Sequence, residues 1–276
     1  MIFLFALYFK VFFQEEYKNA YDIKKLKSEL YYKNCNEDGY NWLNKNFTGN
    51  QNVQHYIHCN EGNGFSMKNN NFHDIKVDSG DNGRLIYVEN RNFSVEDCTF
   101  FKIQFYINLL HPSSPELGSN YYKFTMLRCN INSCQETRNF TSLIRSDFNE
   151  NEVVNNSIYY DPTVYFSNRA FLIFYQTGLT FSGNKVSNAN SDFHGFNAED
   201  PNKEHLVADG SVLTSYYCRE LPFVFSDCTF INCSGKNPSL INVQNLRHNL
   251  NATNITFLNI RSNLFLDGKK VGYIFY

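Results

Sequence analysis

The sequence predicts an all-β protein, a right-handed parallel β-helix (a solenoid of stacked coils) with a short helical cap at its N-terminal end. Three observations predict this fold. A nine-residue phrase returns along the chain at nearly constant spacing, side chains within each copy alternate with a period of two, and a residue suited to a tight bend holds a fixed place in most copies. A repeated unit that cannot bury its own apolar face buries it by stacking on its neighbours.

The phrase consists of an apolar residue, two spacers, Cys or Asn, one spacer, Phe or Ile, two spacers, and a final Cys or apolar residue. Its copies span residues 67–75, 95–103, 126–134, 181–189, 225–233 and 252–260. We call the Cys or Asn position the anchor; it is Asn70, Cys98, Cys129, Asn184, Cys228 and, in the last copy, Ile255. Anchors are separated by about 27 to 31 residues where copies follow directly, which is in the range of solenoid repeats.

Two anchor spacings are longer. About 55 residues separate Cys129 from Asn184, which predicts one degraded copy between them, and residues 143–148 are the candidate remnant. About 44 residues separate Asn184 from Cys228, which suits one coil with an enlarged polar loop near residues 188–209.

Within each copy the alternation predicts a strand, then a two-residue break, then a second strand. The second residue of the break is Asp74, Asn188, Asn232 or Asn259 in four copies, and Lys102 or Ser133 in two others. Asn and Asp tolerate the left-handed backbone conformation that bends a chain sharply. A further run of β-formers precedes most copies, at 84–88, 170–174, 211–214 and 239–243, so each coil contains two or three strands and about seven coils follow residue 50.

The domain organisation follows from this pattern. Residues 1–14 carry an apolar run that predicts a signal peptide, although a first strand or buried helix stays open because a basic start and a small-residue cleavage site are missing. Residues 15–50 are the predicted cap, with Ile23, Leu26 and Leu30 at helical spacing. Residues 51–276 are the predicted β-helix, for which truncation at the C-terminus also stays open. Beyond the signal, no apolar run predicts a transmembrane helix.

Charge and cysteines limit the function classes. With a formal net charge of -2, the sequence indicates no basic surface of the kind that binds nucleic acid. The eight Cys include no CxxC pair, so no metal site is predicted, and no cofactor either. We expect the Cys within the repeat to be mostly buried thiols, because in-register neighbours have parallel Cβ directions that disfavour disulfide geometry. Cys35 and Cys59 lie outside the core repeat and are the candidate disulfide.

Seven Asn-x-Ser/Thr sequons are candidate N-glycosylation sites if the chain is secreted: Asn46, Asn92, Asn139, Asn155, Asn232, Asn251 and Asn254. No catalytic residues are predicted. The acidic groups at 78–81, 96–97 and 199–200 are best explained as solvated loops or bends, and His55 and His58 point to opposite faces of a strand.

Two motifs carry a resemblance to known families, over about residues 52–276. Residues 181–184 (Phe-Ser-Gly-Asn) match the F-x-x-N phrase of chlamydial-type polymorphic membrane proteins. The Asp-Cys-Thr-Phe-x-x-Cys phrase at 227–233 resembles the right-handed β-helix surface proteins of parasitic protists. The G-G-A-I phrase of the bacterial family is absent. The resemblance implies a β-helix that is secreted or on the cell surface, often with an adhesive role.

The functional expectation is therefore a non-enzymatic, secreted or cell-surface β-helix protein with an adhesive or interaction role, whose partners are host or cell-surface glycans or proteins. The alternative is a polysaccharide lyase or glycoside hydrolase on the same scaffold. A fragment without a function of its own is a third hypothesis. The repeat itself is structural, so it determines fold more firmly than function.

Overall fold

The structure is a computed structural model of the 276-residue chain. It describes residues 31–35, 41–49, 55–60, 62, 64–77, 83–114, 122–136, 142–160, 172–175, 178–189, 212–216, 222–235, 239–244, 250–262, 264–266, 269–271 and 273–275. These residues form strands and turns and contain no helix. The predicted signal peptide and the predicted capping helix lie outside the described residues.

Three parallel sheets contain most of the strands. Sheet 1 consists, in spatial order, of β1 (Tyr31–Asn34), β4 (His55–Cys59), β7 (Arg84–Glu89), β10 (Asn108–Ser113), β14 (Ser142–Asp147), β17 (Leu172–Tyr175), β20 (Leu213–Tyr216), β24 (Ser239–Gln244) and β30 (Tyr273–Phe275). Sheet 2 consists of β2 (Asn41–Leu43), β5 (Gly64–Lys68), β8 (Asn92–Glu96), β11 (Tyr122–Leu127), β15 (Asn149–Val154), β18 (Leu179–Ser182), β21 (Phe223–Ser226) and β25 (Leu250–Thr253). Sheet 3 consists of β3 (Asn46–Thr48), β6 (Asn71–Lys76), β9 (Thr99–Phe105), β12 (Asn130–Asn132), β16 (Ser157–Tyr159), β19 (Lys185–Ser187), β22 (Thr229–Ile231) and β26 (Thr256–Leu258).

The chain visits the three sheets in turn, one strand in each, and then starts the next coil. Successive coils pair in parallel along all three sheets, which makes the right-handed parallel β-helix that the sequence predicts. Shorter strands extend the coils: β13 (Gln135–Glu136) pairs with β9, β23 (Ser234–Gly235) pairs with β27 (Arg261–Ser262), and β28 (Leu264–Leu266) pairs antiparallel with β29 (Lys269–Val271).

Stacked aromatic side chains fill the core because equivalent residues of successive coils lie in register. Phe47, Phe72 and Phe100 of sheet 3 stack with ring centroids 4.5 and 5.0 Å apart. Phe65 and Phe93 of sheet 2 stack in the same way at 5.7 Å. Each buried Phe stabilises the fold by about 1.5–3 kcal/mol relative to an exposed one, so these ladders are a main source of stability.

The tight bend that the sequence predicts in these copies is confirmed at the sheet 3 strand, which it interrupts in β6 and β9 and follows in the other coils. Asp74, Asn188, Asn232 and Asn259 have φ between 51° and 58°, in the left-handed region. The two exceptions follow the same geometry: Lys102 has φ 51° and Ser133 has φ 53°. The backbone at the bend is therefore left-handed in every one of these coils, whichever residue occupies the position.

A second left-handed bend, which the sequence analysis missed, separates sheet 2 from sheet 3 just before each anchor. Its residues are Asn44, Asn69, Asp97, Arg128, Asn155, Gly183, Asp227 and Asn254, with φ between 50° and 65°. The mixture of Asn, Asp, Arg and Gly at this position hides its common backbone requirement.

Two expectations about repeat boundaries are wrong. The degraded copy between Cys129 and Asn184 is not at residues 143–148, because residues 143–147 belong to strand β14 of sheet 1. It is centred on Asn156, which follows a left-handed Asn155 and precedes β16. Likewise residues 31–48, expected to belong to the cap, contribute β1, β2 and β3 to the three sheets. That first coil has Lys45 at its anchor, so the phrase did not reveal it.

The anchors form a hydrogen-bond ladder that runs along the solenoid. Five anchors donate to the carbonyl three residues before the anchor of the preceding coil: Asn70 to Trp42 O (3.1 Å), Cys129 to Val95 O (3.5 Å), Asn156 to Met126 O (3.1 Å), Asn184 to Val153 O (2.7 Å) and Cys228 to Phe181 O (3.4 Å). Asn anchors also accept from the backbone N–H of the anchor below, as Asn184 Oδ1 does from Asn156 at 2.9 Å. Asn and Cys interchange at this position because both donate to the same carbonyl.

The cysteines divide into two groups. Cys35 and Cys59, the pair that the sequence singles out, form a disulfide with Cα atoms 5.2 Å apart, joining the first two coils. The other described cysteines are buried free thiols: Cys98, Cys129, Cys134, Cys228 and Cys233. Burial raises the pKa of the Cys134 thiol to about 12 and that of the Cys233 thiol to about 11, so these two thiols stay protonated near neutral pH.

Candidate functional site

Charged and aromatic side chains of four consecutive coils meet on the outer face of sheet 1. Parallel register brings them together, since His58, Tyr87 and His111 are paired residues of β4, β7 and β10. We name this cluster the sheet 1 network; it comprises His58, Arg84, Tyr87, Glu89, His111, Arg145 and Asp147.

The buried half of the network is built around Asp147. Its Oδ2 atom lies 2.9 Å from His111 Nε2, and Arg145 Nε contacts both carboxylate oxygens at 3.0 and 2.9 Å. Arg84 Nε donates to His111 Nδ1 at 2.8 Å, which makes Nδ1 an acceptor and leaves Nε2–H to donate to Asp147. This arrangement requires a neutral imidazole and an ionised carboxylate.

Electrostatics agree with that assignment. Burial lowers the pKa of His111, and this effect outweighs the opposing effect of the hydrogen bond that His111 donates to Asp147. Burial on its own raises the pKa of Asp147, but the hydrogen bond from His111 and the charge of Arg145 lower it overall. Since the His111 and Asp147 side chains are only 7% and 9% exposed, water contributes little to their stabilisation.

The exposed half of the network is built around Glu89. Tyr87 donates its hydroxyl to Glu89 Oε1 at 2.6 Å, and His58 Nε2 lies 3.0 Å from Oε2. Burial raises the pKa of Glu89, but these two hydrogen bonds lower it overall. Burial and then the Glu89 contact raise the pKa of Tyr87 well above its usual range. The His58 and Tyr87 rings stack at 5.2 Å, and Arg84 lies 4.8 Å above the Tyr87 ring.

A shallow groove of about 420 Å³ follows the bend that ends sheet 3, across three consecutive coils. It is lined by Asp74, Ile75, Lys76, Lys102, Gln104, Ser133 and Gln135. Two rows of side chains form it. The bend row consists of the left-handed residues Asp74, Lys102 and Ser133, and the strand row consists of Lys76, Gln104 and Gln135, which are paired in register.

The groove is polar because the bend turns alternate side chains outward there. Ile75 and its partner Ile103 point into the core, so the neighbouring strand-row residues point away from it. At the groove's edge Asp74 Oδ2 lies 3.1 Å from His73 Nδ1, and the Lys102 ammonium lies 5.0 Å above the Phe101 ring. Carboxamides, a hydroxyl and ammonium groups therefore line the groove, with one member of each row per coil.

The acidic groups that the sequence analysis weighed have local partners where the structure describes them. Glu96 contacts Lys68 at 3.0 Å and also Arg128, and Asp97 accepts from Arg128 Nε at 2.7 Å. These contacts lower the pKa of both carboxyls and raise that of Arg128. Glu96 and Asp97 form an exposed ion-pair ladder, as expected of bend residues. Residues 78–81 and 199–200 lie outside the described residues.

Six of the seven candidate glycosylation asparagines are described, and all six are exposed: Asn46, Asn92, Asn155, Asn232, Asn251 and Asn254. Asn139 lies outside the described residues. The structure scatters the six over different coils and faces, so they form no single site, and their glycosylation stays a prediction.

Within the residues that the structure describes, no group of three or more His, Cys, Asp or Glu side chains has a geometry that could hold a metal ion. The described part of the chain also contains no helix long and apolar enough to cross a membrane.

Comparisons with protein-family models, with curated protein sequences and with solved structures found no match to this chain.

Sequence reasoning missed both the network and the groove, although the groove left a readable signal. The bend row lies four residues after the anchor, and the strand row lies six residues after it. Aligning the copies on their anchors would have placed Lys76, Gln104 and Gln135 in one column. The sheet 1 network had no comparable signal because the runs that contain it do not share a repeated phrase.

Proposed function

We propose that this protein is a non-enzymatic, secreted or cell-surface β-helix protein with an adhesive or interaction role. The groove at the sheet 3 bend carries the proposal. Its polar side chains recur once per coil in two rows, which gives an extended ligand several equivalent contacts along the axis of the solenoid. The exposed sequon asparagines are consistent with a protein that reaches the secretory route.

The state of the sheet 1 network supports a binding role over a catalytic one. Each of its carboxylates already accepts hydrogen bonds from two side chains of the same network. The pKa of each is lowered, so neither Glu89 nor Asp147 carries a proton to donate near neutral pH. Such internally satisfied groups stabilise the outer face of sheet 1.

One feature of the same network, the spacing of its two carboxylates, favours the alternative of a glycoside hydrolase or polysaccharide lyase. Glu89 and Asp147 are both in register with Ser113, one strand to either side, so their backbones lie about 10 Å apart. Inverting glycosidases place their two carboxyls about 6.5–9.5 Å apart, but they need one with a raised pKa as the general acid. The lowered pKa of both carboxyls argues against that role.

The experiment that tests the proposal locates the tagged protein in intact and permeabilised cells and measures binding of purified protein to cell surfaces. We expect labelling of intact cells, and binding that the double variant Gln104→Ala with Gln135→Ala weakens. Ser187→Ala, on the same face but three coils away from Gln104, is the matched control. Labelling only after permeabilisation would refute the surface role. Cleavage of a polysaccharide that Glu89→Gln abolishes would establish the enzyme alternative instead.

A further inference from the structure

We propose that the groove at the sheet 3 bend binds an anionic polysaccharide strand that lies along the solenoid axis. This inference rests on the proposed binding function and names its ligand class. The shape of the groove, its charge and the hydrogen-bonding groups that line it support this ligand class.

The shape of the groove selects a linear ligand. Gln104 pairs with Lys76 on one side and with Gln135 on the other, so the strand row rises by one coil at each step. Successive coils are about 4.8 Å apart, which spreads the three side chains over about 10 Å of the axis. A repeating polymer can meet this row with one unit after another, whereas a compact ligand would reach only part of it.

The charge of the groove selects an anionic ligand. Lys76 and Lys102 both line it, while Asp74 is the one acidic side chain among the described residues that line it. The Asp74 carboxylate has His73 Nδ1 at 3.1 Å, and its side chain is 61% exposed, so water and a neighbour both screen it. The Lys102 side chain is exposed, and its ammonium lies 5.0 Å from the centroid of the Phe101 ring, a weak cation–π contact beside the groove. Carboxylate or sulfate groups on the polymer match these two lysines.

The hydrogen-bonding groups select a saccharide over a peptide. An extended peptide binds best to an open strand edge, where it continues the backbone ladder. Strand β6 pairs with β3 and β9, and β9 pairs with β6, β12 and β13, so these two strands of the groove offer no such edge. Among the described pairings β13 is bonded on one side alone, and its two residues give a peptide little backbone to continue. The groove instead presents side-chain carboxamides and a hydroxyl from Gln104, Gln135 and Ser133. These groups donate and accept, as the hydroxyls of a sugar require.

The test measures binding of the full chain to four immobilised probes: a heparin-derived sulfated oligosaccharide, an oligogalacturonate, neutral cellohexaose and poly-glutamate. We expect binding to one or both anionic saccharides, weakened as salt rises from 50 to about 500 mM because exposed charges are screened. Preference between the first two probes distinguishes a sulfate from a carboxylate ligand. The double variant Lys76→Gln with Lys102→Gln should weaken binding about tenfold, or about 1.4 kcal/mol, since it removes two exposed charge pairs with the ligand.

Two further variants make the test specific. Gln104→Ala with Gln135→Ala should weaken saccharide binding without changing its salt dependence, while Lys185→Gln, on sheet 3 but outside the groove, should leave it unchanged. Equal thermal unfolding of all variants checks that they fold. An equal loss of saccharide binding in Lys185→Gln, or no loss in the groove variants, would show that the groove is not the binding site. Binding to poly-glutamate as strong as to the saccharides would overturn the ligand class. Cell-surface binding without binding to any saccharide probe would overturn this inference and leave the proposed function standing.

Discussion

Replacing Asn184 by Ala tests the anchor ladder directly. The substitution removes the acceptor of the Asn156 backbone N–H, at 2.9 Å, and the donor to the Val153 carbonyl, at 2.7 Å. Both groups lie in the core, where Asn156 and Asn184 are 2% and 1% exposed. Leaving a buried polar group unsatisfied costs about 1–3 kcal/mol, so Asn184→Ala should lower the free energy of unfolding by about 2–5 kcal/mol.

Asn184→Cys is the matched comparison, because Cys129 and Cys228 occupy the same position in other coils and donate their thiols to the equivalent carbonyls. We expect Asn184→Cys to lower the free energy of unfolding by less than half as much as Asn184→Ala does. Ser187→Ala, on the outer face of the same coil, should change stability by less than about 0.5 kcal/mol.

Urea unfolding measures the global effect, and hydrogen exchange of the Asn156 amide measures the local one, which matters because solenoid coils can open separately. Equal destabilisation by Ala and Cys would refute the reasoning, since it would mean that a thiol does not replace the hydrogen bonds of the Asn184 amide.

Three further predictions concern other parts of the fold. Lys102→Asn should raise the free energy of unfolding by about 0.5–1 kcal/mol in urea titrations, because Asn tolerates φ 51° better than Lys; no gain would contradict the conformational explanation. Replacing Cys35 and Cys59 by Ser should lower stability by about 3 kcal/mol for a loop of this length, and added reductant should then have no further effect on the melting temperature. The free energy of unfolding should fall as pH drops, because the pKa values of His111 and Asp147 are both lowered in the folded state. The unfolded chain therefore binds protons at a higher pH than the folded chain does. Its unperturbed pKa values are about 6.5 for His and about 3.9 for Asp, so the loss of stability begins near these pH values. Asp147→Asn should flatten the acid part of this dependence in melts recorded from pH 8 to pH 3, and an unchanged slope would contradict it.

The sequence predicted the solenoid and the bend after sheet 3 because both depend on local rules: alternation of side chains, spacing of copies, and the tolerance of Asn and Asp for a left-handed backbone. The sequence did not predict the features in which residues of different types occupy one structural position. Arg128 and Gly183 share a left-handed bend with several Asn residues, and Lys45 takes the anchor position of the first coil, so neither position has a composition that marks it. The degraded copy at Asn156 was missed for a related reason: the alternation around it is intact, but no Phe or Cys marks it.

The sites were harder to predict than the fold because they depend on register between coils. Tyr87 and His111 are 24 residues apart in the chain but one strand apart in sheet 1, and the loop lengths that fix this register follow no simple rule. The groove is an intermediate case, since its rows keep a constant distance from the anchors.

The anchor and the bend together explain how this solenoid can vary in function while keeping its fold. In most coils the anchor is Asn or Cys, and five of these anchors donate a hydrogen bond to the preceding coil. The bend requires only a backbone conformation and points its side chain outward, so Asp74, Lys102 and Ser133 can differ in charge at modest conformational cost. A substitution at the bend therefore changes the surface of one coil without disturbing the ladder beneath it. Ligand specificity on this scaffold is accordingly expected at the bend and in the outward residues next to it, which is where the groove lies.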